Sequence, residues 1–221
     1  MSKETNKDEY RLAHTMIRVR DLEASFDFYC KTLGMKILRK TDYPDGRFTN
    51  AFIGYGLETE SPCLELTYNW DQKENYDKGN GWGHICIETP DVYKACENLA
   101  ALGVNITRKP GPMKHGTRVI AFCEDPDGRF TTAFIGYGLE TESPCLELTY
   151  NWDQKENYDK GNGWGHICIE TPDVYKACED LAALGVNITR KPGPMKHGTR
   201  VIAFCEDPDG YKVELNEKLK I

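Results

Sequence analysis

The 221-residue sequence predicts an α+β fold of paired βαβββ modules with a duplicated central segment. Two observations carry that reading. Short β-rich runs alternate with one stretch of helical period per half, in the order strand, helix, strand, strand, strand. In addition, residues 44–125 recur as 126–207, differing only at Asn50 against Thr132 and Asn98 against Asp180. The joints fall on Pro44-Asp45-Gly46, Pro126-Asp127-Gly128 and Pro208-Asp209-Gly210. Copies that diverge over long times are less alike than this, so the repeat reads as a recent or engineered tandem duplication. Removing one copy leaves a 139-residue parent, 1–125 joined to 208–221.

The elements follow in order. His14–Val19 is a short β-rich run, and Leu22–Leu33 has helical apolar spacing that stops at Gly34, a natural C-cap. Met35–Arg39 reads as a strand, Pro44-Asp45-Gly46 as a turn, and Phe48–Tyr55 and Cys63–Tyr68 as two further strands. Asp71–Gly81 is polar, with alternating charge and glycine, and suits a linker. The pattern then restarts with a strand at His84–Glu88, a helix at Asp91–Leu102, and strands at Val104–Arg108 and Arg118–Cys123. In the parent, Tyr211–Asn216 is the last strand.

Placing the extra copy in the polar linker keeps both modules contiguous. It gives a first module at 12–70, a duplicated segment at 71–163, and a last module at 164–221. Any other placement breaks a tight Pro-Asp-Gly turn and its hairpin register. Lengthening a loop from about 11 to about 93 residues costs only roughly 2 kcal/mol of chain entropy. The middle piece runs strand, helix, strand, strand, turn, strand, strand, so it is a candidate hybrid third module. The other expectation for it is a loose segment with unpaired strand edges.

Composition excludes several classes. A net charge of −7 without a basic stripe argues against nucleic acid as the main partner. No apolar run approaches the ~18 residues of a membrane span. The charged start MSKETNKDEYR lacks an apolar secretory core, which leads to the expectation of a cytoplasmic protein. Nine cysteines without a CxxC motif read as buried reduced thiols, and eight of them belong to the repeat. Trp70, Trp82, Trp152 and Trp164 flank the linker and its copy and read as packing residues.

Metal-competent side chains concentrate on strands. They are His14 in HTMIRV, Glu65 or Glu147 in CLELTYN, His84 or His166 in GWGHICIE, and Glu214 in DPDGYKVEL. Each complete module offers a His on its first strand and a Glu on its last. Two imidazoles and two carboxylates suit a borderline divalent ion such as Ni, Co, Zn, Mn or Fe. Each piece also has an ordinary reading. A lone strand His is commonly a core or edge residue, and a Glu between two leucines commonly faces solvent.

Together, HTMIRV, FIGYG, LELTYNW, GWGHICIE and VIAFCEDPDGYKVEL resemble glyoxalase I of the vicinal-oxygen-chelate superfamily, in its short bacterial type. The resemblance spans essentially the whole 139-residue parent, with the motifs in order. It implies that His14, Glu65, His84 or His166, and Glu214 form the metal quartet, with Glu147 as the duplicate of Glu65. It implies glutathione contacts at Arg18, Asn69 or Asn151, and Lys114 or Lys196. It implies nickel first, with cobalt and zinc as alternatives. The substrate implied is the hemithioacetal of methylglyoxal and glutathione, with Glu214 as the base and Glu65 or Glu147 opposite it. His115 and His197 beside the lysines read as solvated.

The resemblance implies no counterpart of the 82-residue duplication in the family, which bears on assembly. Three His/Glu pairs, His14/Glu65, His84/Glu147 and His166/Glu214, are one more than a single site uses. The odd count leads to the expectation of a homodimer or a strand-exchanged oligomer. Two other functional readings stay open at this level. One is another superfamily metalloenzyme, such as a thiol transferase or an extradiol dioxygenase. The other is a duplicated scaffold with impaired activity.

Overall fold

A computed structural model of the chain describes residues 9–112, 119–128, 145–149, 151–196 and 199–218. The first module holds β1 (Arg11–Val19), α1 (Leu22–Phe26), β2 (Lys36–Tyr43), β3 (Phe48–Gly54) and β4 (Cys63–Asn69). The middle holds α2 (Val92–Ala101), β5 (Ile106–Pro112) and β6 (Val119–Cys123). The last module holds β7 (Trp164–Thr171), α3 (Val174–Ala183), β8 (Ile188–Pro194), β9 (Val201–Glu206) and β10 (Lys212–Glu217).

The first and last modules share one eight-stranded sheet in the order β2-β3-β4-β1-β7-β10-β9-β8. β1 and β7 meet antiparallel at its centre, with β4 parallel to β1 and β10 parallel to β7. The two halves therefore mirror each other in strand order about the β1–β7 seam. Residue alternation assigns the faces. On β1, Ile17 and Val19 are fully buried against helix-side apolar groups, while His14, Met16 and Arg18 line a cavity on the other face. On β4, Leu64 and Leu66 enter the core and Glu65, Thr67 and Asn69 line the cavity. The solvent-facing reading of that Glu is thus corrected. Glu65 is 5% exposed, because the face of the sheet that carries it lines the cavity rather than facing bulk water.

Local signals account for the helix starts. Asp21, Asp91 and Asp173 cap α1, α2 and α3 by accepting the N–H of Ala24, Lys94 and Lys176. Such caps contribute about 1 kcal/mol each. The first helix departs from its expected form. Only Leu22–Phe26 is α-helical, and Asp27–Thr32 widens into a π turn in which the Leu33 N–H donates to the Phe28 carbonyl. Gly34 still ends it, at φ +79°.

The expected strand at His84–Glu88 does not form among the described residues, although the identical sequence at Trp164–Thr171 is β7. Context decides between them. β7 lies between β1 and β10 and completes a ladder on both edges. Among the described residues, 82–89 have no such pair of flanking strands. The expected strands over 129–144 lie outside the described residues, so the hybrid third module is described only in part. What is described is not loose. β5 and β6 form their own two-stranded sheet. Ile85, Ile87, Val104 and Cys123 pack against the core of the first module. The Tyr29 hydroxyl donates to Asp125 Oδ2 at 2.7 Å.

The two linker copies dock on each other reciprocally. The N–H groups of Asn80 and Gly81 donate to the Asp159 carbonyl, and those of Asn162 and Gly163 donate to the Asp77 carbonyl. Asn162 Oδ1 accepts from the Asp77 N–H, and Asn80 Oδ1 accepts from the Asp159 N–H, both at 2.7 Å. Gly79 and Gly161 adopt φ near +57° and +56° at this contact. Next to it, Trp82 stacks on Trp164 with ring centroids 3.9 Å apart, in line with the packing role expected for these two, whereas Trp152 is 87% exposed and departs from that expectation. All nine cysteines are free thiols. No helix among the described residues is long and apolar enough to cross a membrane.

Candidate metal centre

The four central strands each present one donor to the cavity: Glu65 from β4, His14 from β1, His166 from β7 and Glu214 from β10. His14 Nε2 lies 3.0 Å from Glu65 Oε2 and 3.5 Å from Glu214 Oε2. His166 Nε2 lies 2.9 Å from Glu214 Oε2 and 3.9 Å from Glu65 Oε2. The two Nε2 atoms are 3.3 Å apart. All four residues are buried. Two nitrogens and two carboxylate oxygens therefore converge on one point, the arrangement a borderline divalent cation takes.

The electrostatics of the cluster follow from burial and charge. Burial opposes protonation of His14, yet Cys168, Glu214 and Glu65 outweigh it and raise its pKa well above the ordinary value. Burial pushes Glu214 up, but the hydrogen bonds and charges of His14 and His166 hold it at about 2. The Glu214 carboxylate is thus held in its charged form, which favours a positive charge beside it. Cys168 also lies near His14 and Glu214. Burial pushes its thiol up to about 11, which disfavours the thiolate a metal would need.

Phe52 and Phe204 pack edge-on against the two imidazoles, His14–Phe52 at 5.3 Å and His166–Phe204 at 5.4 Å between ring centroids. Each imidazole thus has one aromatic edge contact of its own. The cavity above the donors is about 740 Å³. Arg18 lines it and donates from Nη1 to the carbonyls of Trp164 and Asn162. Asn69 also lines it and donates to the Tyr76 hydroxyl at 2.8 Å.

The duplicates fare differently. His84 Nε2 and Glu147 Oε2 stand 3.6 Å apart, apart from the quartet, and the Glu147 side chain is 41% exposed. Burial lowers the His84 pKa, partly offset by Glu147. Asn151 is exposed and donates to the Tyr158 hydroxyl. Lys196 is exposed and does not line the cavity, although Met195, Thr199 and Arg200 beside it do. Lys114, His115 and His197 lie outside the described residues.

Among the polar cavity residues that sequence reasoning missed are Arg39, Arg200 and Asn50. Arg39 sits over the Phe52 ring at 3.8 Å and pairs with Glu58 at 2.7 Å. Its place in the strand alternation of β2 is the signal that points inward. Asn50 had the plainer signal, being one of two positions at which the copies differ.

A family profile described as the Glyoxalase/Bleomycin resistance protein/Dioxygenase superfamily matches residues 11–130 and 132–215. A lactoylglutathione lyase of Arabidopsis thaliana is 39% identical over 263 residues, covering 95% of this chain and 92% of its own length. The lactoylglutathione lyase of Neisseria meningitidis is 63% identical over 118 residues, covering 53% of this chain and 85% of its own. The crystal structure of glyoxalase I from Zea mays superposes with a TM-score of 0.87 at 36% identity, over 95% of this chain and 93% of that one. The bacterial relative spans about one parent length, whereas the plant relatives span the duplicated segment as well. The expectation that the family has no counterpart of the duplicated length is therefore corrected by these relatives. With two profile matches along its length, this α+β chain belongs to the Glyoxalase/Bleomycin resistance protein/Dioxygenase superfamily.

Proposed function

We propose that the chain isomerises the hemithioacetal of methylglyoxal and glutathione to S-lactoylglutathione at a divalent-metal centre held by His14, Glu65, His166 and Glu214. The buried convergence of two His and two Glu from four adjacent strands carries the reading. Lactoylglutathione lyases at 39% and 63% identity support it. A nitrogen and oxygen donor set suits nickel, cobalt and zinc alike, and the resemblance to the short bacterial type makes nickel the first choice. A divalent ion there supplies Lewis-acid stabilisation of the charge that develops on the two substrate oxygens.

The protein supplies the rest. Glu214 removes the proton from C1 of the hemithioacetal and returns it to C2, with Glu65 opposite. His14 and His166 hold Glu214 in its charged form, so it is ready to accept the proton. Phe52, Phe204 and Met16 give the cavity apolar walls that exclude water from the reacting carbons. Arg18, Arg39 and Arg200 line the same cavity and suit the two carboxylates of glutathione through charge-assisted bonds. Asn69 adds a neutral contact. Lys114, Lys196 and Asn151 are the expected contacts that need direct testing by substitution.

An extradiol dioxygenase site uses two His and one Glu. The presence of both Glu65 and Glu214 in the quartet favours the isomerase over that alternative. For location, the reading is a cytoplasmic protein. For assembly, the reading is a homodimer or strand-exchanged oligomer that would use the leftover His84/Glu147 pair. Because the quartet closes within one chain, activity and association are separate measurements.

The test follows thioester absorbance with methylglyoxal and glutathione, using nickel-loaded protein. Thioester formation above the non-enzymatic background is the expected result. Its absence with nickel, cobalt and zinc alike would refute the assignment.

A further inference from the structure

Asn50 lies in the cavity beside a proposed ligand and at one of the two positions where the copies differ. In the β3–β4 register, Asn50 stands opposite Thr67 and Phe52 opposite Glu65, so Asn50 is the diagonal neighbour of Glu65 on the cavity face. Its Nδ2 donates to Glu65 Oε1 at 2.5 Å. Its Oδ1 accepts from the Thr67 hydroxyl at 3.1 Å. The other Glu65 oxygen, Oε2, is the one 3.0 Å from His14. One oxygen of the carboxylate is thus occupied by the amide, and the other faces the donors.

We infer that Asn50 is a positioning residue for the metal centre. Its amide, held by Thr67, fixes Glu65 with Oε2 toward the ion and marks the first copy's strand as the one that closes the site. The inference rests on the metal-centre reading above. Outer partners of this kind orient ligand carboxylates, and their loss weakens metal binding. The second copy carries Thr132 at this position. A threonine oxygen lies one bond nearer the backbone than an asparagine amide nitrogen, and its hydroxyl has a single proton to donate. The sequence around Glu147 is the same as that around Glu65, but the second copy has no amide at the position of Asn50. The second difference between the copies does not reach the cavity. Asp180 pairs with Lys176 on α3 instead.

The experiment titrates Co(II) into the full chain after chelation and follows the visible absorption bands of the bound ion. It compares the unsubstituted protein with Asn50→Thr, Thr67→Val and Thr132→Asn, and records the unfolding temperature of each metal-free form. Asn50→Thr is expected to weaken Co(II) binding by about 10–100-fold and to alter the absorption bands. Thr67→Val is expected to move both in the same direction by less, and Thr132→Asn to leave both unchanged, with unfolding temperatures alike throughout. Co(II) affinity and spectrum unchanged in Asn50→Thr would overturn the inference. Should Asn50→Thr not fold, an unchanged Thr67→Val overturns it instead. If the unsubstituted protein binds no Co(II), the metal-centre reading falls and takes this inference with it.

Discussion

The Nε2 atoms of His14 and His166 face each other across the β1–β7 seam at 3.3 Å. They come from opposite ends of the chain, and each brings a carboxylate from the strand parallel to its own, Glu65 for His14 and Glu214 for His166. The centre is therefore assembled from two half-sites, and neither module alone holds more than two of the four donors.

Metal dependence is the first consequence. Exhaustive chelation should abolish isomerase activity, and nickel should restore more of it than zinc. Full activity in protein shown to be metal-free by elemental analysis would refute the mechanism.

Glu214 occurs once in the chain and is both a proposed ligand and the proposed base. Glu214→Gln keeps the volume and removes the charge. Steady-state kinetics on the nickel-loaded variant should show a loss of at least about a hundredfold in kcat, the low end of general-base contributions. Activity equal to the unsubstituted protein would mean the base lies elsewhere.

The duplicated donors should separate cleanly. Glu65→Gln and His166→Gln remove members of the quartet and should be severe, whereas Glu147→Gln and His84→Gln touch the outlying pair and should be mild. A silent Glu65→Gln with a severe Glu147→Gln would show that the other copy closes the site.

The linker contact makes a stability prediction. Gly161 has φ +56°, and a Cβ there would run into the Asp77 carbonyl. Gly161→Ala combines left-handed strain of about 1–2 kcal/mol with that clash. It should lower the unfolding midpoint by at least about 2–4 °C in a chain of this size. Gly83→Ala adds a Cβ in open space and should change it by much less. Calorimetry on the two variants checks the pair, and equal midpoints would remove the linker docking as a stabilising contact.

Much of this protein is written locally. The alternation of β1 and β4 separates Ile17, Val19, Leu64 and Leu66 from His14 and Glu65 without any knowledge of the sheet, because successive side chains point to opposite faces. The caps Asp21, Asp91 and Asp173 and the stop at Gly34 are legible for the same reason, since each acts through backbone groups a few residues away. The donor residue types, the β-rich runs that carry His14, Glu65 and Glu214, and the repeat are legible in the same way.

The tertiary structure alone decided between identical sequences. WGHICIET is a strand at 164–171 and not at 82–89, because β1 and β10 flank the first of these and complete its hydrogen-bond ladder. A strand is stabilised by its neighbours, so its own residues do not say which copy will have them. The same holds for Glu65 and Glu147, which the sequence presents as equals. Only the folded sheet brings Glu65 within 3.0 Å of His14 and leaves Glu147 beside His84, since a site spread over four strands is set by their pairing order rather than by spacing along the chain.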